Sequence, residues 1–326
     1  MYRIITDTSA NLELELLERK GIAEIPFSFS IPEKGGDALY CPDFSAFDSK
    51  AFYDAMRSGT RVTTSQITPA QYTEKMRPLL EAGQDILFIG MSSGVSGSFQ
   101  AGMVAAAQLR AEFPERSIEL IDTLGASLGE GLVVLRAAEL RDSGIALSAA
   151  VHLLLDYRDR ICQVFTVDNL KYLCSTGRLS NAKAAIGNIL NIKPLLKGDS
   201  EGKIVNFGKV RGRKNSLRAI AEQYREYVVD AANQTVGIAH ADCIEDANTL
   251  AELISEIAPP KDILTVMYEP VTGSHVGPGK ELILLSEAPK RNSPLPNETL
   301  VYRVSVVKRK SPRAFPADFF VFSVLY

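Results

Sequence analysis

Cysteine is scarce in this chain, and the four present (Cys41, Cys162, Cys174 and Cys243) lie far apart with no CxxC pair among them. That spacing argues against a disulfide framework and against thiolate metal sites; free thiols in a reducing compartment fit better. Histidine is scarcer still, with only His152, His240 and His275. Positive charge is not in excess. Lys plus Arg total 36 against 39 Asp plus Glu, a formal charge of -3, so no global field exists to hold a polyanion such as nucleic acid. Long apolar runs are missing too: none reaches the roughly 18 residues that a membrane-spanning helix needs. The opening MYRIITDTSANL meets Asp7 before any continuous apolar stretch forms, unlike a secretory signal. The expectation is a soluble, cytoplasmic protein.

What the chain does contain is ordinary globular composition: 326 residues, 46% hydrophobic and 23% charged, with 23 Gly and 16 Pro. Collagen-like, coiled-coil and wholly disordered readings are excluded, and the length suits about two domains. The run YRIIT reads as a buried strand that stops at Asp7-Thr8-Ser9, and NLELELLERKG as a helix stopped by Gly21. IAEIPFSF reads as a second strand. The same alternation recurs in PAQYTEKMRPLLEAG, DILFIGM, SFQAGMVAAAQLRAEF, SIELID and ASLGEGLVVLRAAELRDSG. Strands alternating with helices predict βαβ units and a mainly parallel sheet with helices on both faces. Near Asp156 the pattern changes: residues 166–196 read as helical with Gly breaks, KIVNFGKVRGRK as a hairpin, and QTVGIAHA, EDANTLAELISEIA and DILTVMYEPV as strand, helix, strand. The expected organisation is an N-terminal α/β domain over 1–155, a smaller α+β domain over 156–285, and an atypical tail over 286–326. That tail contains the basic KRKSPRAF and the apolar FFVFSVLY, the latter an aggregation hazard if exposed.

Five polar clusters fall where strands should hand over to loops or helices, the edge at which ligands bind in parallel sheets. They are Asp7-Thr8-Ser9, Thr63-Thr64-Ser65-Gln66, the Ser/Gly loop Ser92–Ser98, Asp122-Thr123 with Gly125-Ala126-Ser127, and the loop Gly273–Gly279 around His275. Gly lets backbone approach a ligand and hydroxyls donate, so the loop at 92–98 suits a carboxylate or phosphate. It suits a Ser-capped tight connection equally well. It is neither a GxGxxG nor a GxxxxGK[ST] loop. Gly125-Ala126-Ser127-Leu128-Gly129 matches GxSxG, the nucleophile elbow of serine hydrolases, and His275 follows it in hydrolase order. The bland reading makes Ser127 a helix cap, and His152, in the apolar VHLLL, a packed core residue. The basic cluster Lys209–Lys214 reads as a solvated turn, or as a patch for an acidic partner surface or a nucleotide phosphate. Arg178, beside Gly177, either caps a helix end or docks an anion.

TDTSANL, TTSQITP, SSGVSGSFQ, DTLGASLGEG, VDNLKYLCSTGRLSNAKAAIGNILNIKPLL, KVRGRK and GSHVGPG, in this order, resemble the successive signatures of the DegV family. The resemblance implies a two-domain α/β protein that holds one long-chain fatty acid in an apolar tunnel, without cofactor or metal. It implies that a partner fatty acid kinase, which binds ATP, converts the presented carboxylate to an acyl phosphate. The implied carboxylate ligands are Thr64 and Ser96, with His275 beside them; Arg178, Arg211 and Arg213 are weaker candidates for docking the kinase. Helices such as AAIGNILNI carry stripes suited to tunnel wall or to plain core. The alternative is a serine hydrolase of lipid esters using Ser127. One departure stands out: after GPG, Lys280-Glu281 replace the small and apolar residues of the family's closing strand. The expectation is therefore a missing final strand and an altered placement of His275.

Overall fold

The first βαβ unit forms much as its pattern requires. Strand β1 (Arg3–Asp7) ends at an acidic residue that caps a 3-10 turn, Thr8–Ala10, and helix α1 (Leu14–Arg19) leads into β2 (Ile22–Ile25). The computed structural model describes residues 2–41, 47–179 and 191–279, together with the backbone of 282–287. The single strand expected over IAEIPFSF is in fact two. Pro26 has no N–H for a central ladder, and β3 (Ser28–Ser30) leaves the first sheet. It pairs instead with β4 (Leu39–Tyr40) and, after helix α2 (Ser49–Arg57), with β5 (Thr63–Ser65), in the order β4-β3-β5.

Helix α3 (Pro69–Glu81), strand β6 (Ile86–Gly90), helix α4 (Ser98–Glu112), strand β7 (Ile118–Asp122) and helix α5 (Leu128–Asp142) complete the N-terminal half. Its sheet, ordered β2-β1-β6-β7, is parallel throughout. β6 is buried along its whole length, as a strand covered on both faces must be.

Helix α6 (Leu147–Arg158) opens the second half, followed by β8 (Ile161–Thr166), α7 (Lys171–Ser175), β9 (Ile192–Gly198) and β10 (Ile204–Arg211). Then come α8 (Arg213–Tyr227), β11 (Thr235–His240), α9 (Ile244–Ile257), β12 (Asp262–Met267), α10 (Pro270–Val276) and β13 (Leu282–Glu287). The sheet is mixed, with order β10-β9-β8-β13-β11-β12. Helices α8 and α9 cover it through Leu217, Ile220, Tyr224, Leu250 and Ile254. This is a mixed α/β fold in which a parallel sheet flanked by helices is joined to an α+β part.

Four sequence expectations change here. The stretch 166–196 is not helical throughout: Thr166 ends β8, and Ile192–Leu196 belongs to β9, the first arm of the antiparallel hairpin with β10. Residues 180–190, and with them most of AAIGNILNI, lie outside the described residues, as does the tail past Glu287. The final strand is present, since the backbone of β13 pairs with both β8 and β11 in the middle of the sheet. GSHVGPG is not a loop, because Gly273 to Val276 form the end of α10. His152 is not packed core: it is exposed on α6, next to Leu153, which is 50% exposed.

The close fit of α5 on the Thr8–Ala10 turn is set by one glycine. A methyl group at Gly131 would stand 2.5 Å from the carbonyl oxygen of Ala10. Replacing a mid-helix Gly by Ala gains about 1 kcal/mol of helix propensity, whereas overpacking costs about 1–3 kcal/mol; backbone against backbone makes the second term larger. Gly131→Ala is expected to lower the urea midpoint, corresponding to a net loss of about 1–2 kcal/mol. An unchanged or raised midpoint would contradict this packing.

Candidate functional site

The carboxyl ends of β1, β6 and β7 meet at one edge, and three of the five polar clusters meet with them. Asp7 accepts hydrogen bonds from Ser9 N at 3.0 Å and from Met91 N at 3.1 Å, tying the end of β1 to the start of the Ser/Gly loop. Asp122 accepts from Ser93 N at 3.2 Å and Leu124 N at 3.0 Å, and Ser92 N donates to Gly125 O at 2.8 Å. Thr123 Oγ1 donates to Gly90 O at 2.8 Å. The loop at 92–98 is thus held on both sides by backbone and carboxylate partners before any ligand is considered.

The other two clusters arrive from different elements. Ser98 Oγ accepts from Ile67 N at 3.1 Å, which joins the loop to the segment after β5. Ser96 Oγ accepts from Ser98 N at 3.2 Å and lies 3.1 Å from Ser98 Oγ, to which it donates. Thr64, on β5, lies 2.9 Å through Oγ1 from Nε2 of His275 on α10. The position of α10 rests on Glu269, fully buried, which accepts from Thr272 N at 2.6 Å, Val271 N at 2.5 Å and Cys41 Sγ at 3.1 Å. Gly273 lets α10 lie against α2: a methyl there would meet Tyr53 Oη at 2.1 Å.

Together these residues surround a cavity of about 350 Å³, within the range of small-molecule sites. Thr64, Gln66, Ser96, Arg178 and His275 supply polar groups to its lining, and Phe27, Met91, Phe165, Leu173, Ile204 and Val276 supply apolar walls. The hairpin between β9 and β10 reaches it too, where Ser92 Oγ donates to Gly202 O at 2.9 Å. Among the described residues, no group of three His, Cys, Asp or Glu side chains is placed to hold a metal ion. Nor is any helix there long and apolar enough to cross a membrane.

The electrostatics favour an uncharged imidazole. Burial, followed by the positive charge of Arg178, pushes the His275 pKa down to about 4. Arg178 is half-buried, and burial lowers its own pKa; its Nε donates to Val95 O at 3.3 Å and its Nη1 to Thr176 O at 2.5 Å. Arg178 therefore lines the cavity rather than standing on the outer face. Arg213 has a side chain only 11% exposed, with Nε donating to Asp246 at 3.0 Å. Arg211, at the end of β10, is exposed.

Ser127 occupies the turn between β7 and α5 at φ 55, ψ -142, a strained elbow for a non-glycine residue. It does not cap α5 through its side chain. Its Oγ has no hydrogen-bond partner, so no histidine touches it. His275 Nε2 faces Thr64, His240 Nδ1 accepts from Cys243 N at 3.3 Å, and His152 is exposed. The elbow conformation is present, but its base is not in contact.

Chemistry that the sequence did not flag lies beneath the site. Glu130, fully buried, accepts from Thr6 Oγ1 at 2.8 Å and from Ser9 Oγ, and the charge of Asp7, also fully buried, acts on it. Gln163 lies over Gly125 and Gly129, where added methyl groups would stand 2.5 and 2.6 Å from its amide. The two glycines of GASLG are thus accounted for by close packing. Glu130 sits in the helical run as an ordinary acidic residue, and nothing local marks it as buried.

The chain matches the family described as "Uncharacterised protein, DegV family" over residues 1–284. It belongs to the DegV family. A DegV domain-containing protein of Clostridium perfringens is 38% identical over 279 residues, which span 85% of this chain and 94% of that relative. A solved DegV-family structure from Thermus thermophilus, described by its fatty acid binding, superposes with a TM-score of 0.78 at 27% identity. The match spans 88% of this chain and 99% of that one. DegV of Bacillus subtilis, described as a fatty acid binding protein, gives 0.74 at 26% identity, with 88% and 99% covered. In this DegV-family chain the family match runs into β13, consistent with that strand's place in the sheet.

The buried acids make stability depend on pH. Burial pushes Asp7 up to about 6 and raises Glu130 well above its ordinary range, with Asp7 adding to the effect. A carboxylate raised in the folded state binds more protons there than when unfolded. Its stabilising share is complete below the ordinary carboxylate pKa of about 4 and is lost as pH rises through the folded value of about 6 for Asp7. His275, shifted downward, acts oppositely and disfavours folding as pH falls from about 6.5 toward 4. Comparison with Glu130→Gln isolates the acid pair. Urea midpoints measured from about pH 4 to 8 are expected to fall in the wild type relative to the variant; parallel curves would contradict the upward shift of these acids.

Proposed function

We propose that this chain is a non-catalytic carrier of one long-chain fatty acid. Its carboxylate is held by the hydroxyls of Thr64 and Ser96 beside His275, and its tail lies along the apolar walls between the two sheets. The observation that carries this reading is that Thr64, Ser96 and His275 line one cavity whose remaining walls include Phe27, Met91, Phe165, Leu173 and Ile204. The fatty acid binding described for the Thermus and Bacillus relatives supports the ligand class.

The chemistry is consistent with that division of labour. A carboxylate taken from water must be hydrogen-bonded or its desolvation is prohibitive. Thr64 can accept from a neutral His275 Nε2–H and donate its own proton to the ligand. Ser96 can turn its proton from Ser98 Oγ to the ligand while still accepting from Ser98 N. The tail supplies affinity at about 0.8 kcal/mol per buried CH₂. The head group is then held by alcohols and remains available to a second protein.

That second protein, in this reading, is an ATP-dependent fatty acid kinase that converts the carboxylate to an acyl phosphate. Arg178, in the cavity lining, is suited to draw an anionic head group toward the point of transfer, and exposed Arg211 is suited to an acidic partner surface. Arg213, enclosed and paired with Asp246, is the weakest of the three for docking.

Protein purified from a bacterial host is expected to carry acyl chains that denaturing mass spectrometry detects. Thr64→Ala combined with Ser96→Ala is expected to lower their occupancy at least tenfold, the loss of about two hydrogen bonds to a charged group. Absence of lipid from both proteins, with no binding after loading, would remove the carrier reading.

A further inference from the structure

Ser127 combines two unfavourable features that the carrier reading does not use. Its backbone sits at φ 55, where glycine is favoured, and its hydroxyl is buried (1% exposed) without a hydrogen-bond partner. The residue lines the cavity, as does Gln163, which is 8% exposed on β8. Gln163 is weakly engaged: Ala126 N lies 3.4 Å from its Oε1, and its Nε2 lies 3.5 Å from Leu124 O. The amide rests on Gly125 and Gly129, the residues on either side of the Ser127 turn, so hydroxyl and amide flank the same piece of wall. A saturated hydrocarbon tail passing this wall would leave the hydroxyl unsatisfied and the amide poorly satisfied. A buried donor or acceptor without a partner is disfavoured by the free energy of a lost hydrogen bond.

We propose that Ser127, with Gln163 beside it, forms a second polar subsite in the cavity. Its ligand is an oxygen carried part-way along the acyl chain, in a hydroxy or keto fatty acid. A serine hydroxyl and a carboxamide each donate and accept, so both kinds of oxygen are matched. The subsite is built on the β7–α5 turn and β8, whereas the carboxylate position is built on β5, the Ser/Gly loop and α10. It acts by selection among acyl chains, since an oxygenated chain makes bonds here that a plain chain cannot. The inference rests on the fatty-acid reading, and the test separates the two.

The experiment measures binding of stearate, and of stearates bearing one hydroxyl or keto group at each of carbons nine to twelve, to the delipidated full-length protein. Wild type is expected to favour at least one oxygenated chain over stearate by about tenfold, the worth of one otherwise unmade hydrogen bond. Ser127→Ala is expected to erase that ratio. Ser127→Gly, which suits the positive φ and removes the hydroxyl, is expected to do the same should the alanine variant fold poorly. Equal affinities in the wild type, as when ordered water satisfies Ser127, would overturn the subsite while leaving the carrier intact. So would a ratio that survives both substitutions. Failure of every chain to bind would overturn the carrier reading itself, and the subsite with it.

Discussion

The 2.9 Å hydrogen bond between Thr64 and His275 joins a strand of the small antiparallel sheet to the short helix that follows the last parallel pair of the mixed sheet. Burial, with the nearby Arg178 charge, keeps the imidazole in this bond neutral. A protonated ring beside a half-buried arginine would place two cations at one rim. A neutral ring leaves Arg178 as the cation nearest His275 in the cavity lining.

The geometry around that bond is held by buried carboxylates rather than by the ligand. Glu269 fixes the start of α10 through two backbone N–H groups and the Cys41 thiol. Asp7 fixes the start of the Ser/Gly loop, and Glu130 gathers Thr6 and Ser9 beneath it. Each acid has its pKa raised by loss of water, and each is offset by convergent donors. For the proposed carrier, preorganisation of this kind would let a head group meet hydroxyls already in place. Little ordering of the loop at 92–98 remains to be done on binding.

Much of this arrangement is legible in the chain. The runs RIITD, ILFIG and IELID are short, branched and apolar, and each ends in Asp, Gly or a hydroxyl cluster. The strands and the converging polar edge at Asp7, Ser92–Ser98 and Asp122 follow from that pattern. The chain hides what depends on long-range contact. Glu130 and Glu269 look like surface acids in their local sequence, and only packing shows them enclosed. His152 lies among apolar residues yet faces water, because α6 turns that part of its surface outward. GASLG looks like a nucleophile elbow and adopts its backbone bend, but its glycines lie under Gln163 and its serine touches no base.

The amino-acid sequence alone determined the class of fold and the collinear family signatures, since these are set by local pattern. The family resemblance, rather than residue chemistry, singled out the hydroxyls at 64 and 96 as expected carboxylate ligands. Only the tertiary structure decided that His275 rides a helix bonded to Thr64, that Arg178 faces inward, and that β13 fills the centre of the mixed sheet despite its unusual lead-in at Lys280-Glu281. The physical reason is range. Propensity and periodicity act over a few residues, whereas burial, pKa and cavity shape arise where segments more than 200 positions apart are brought within one hydrogen bond.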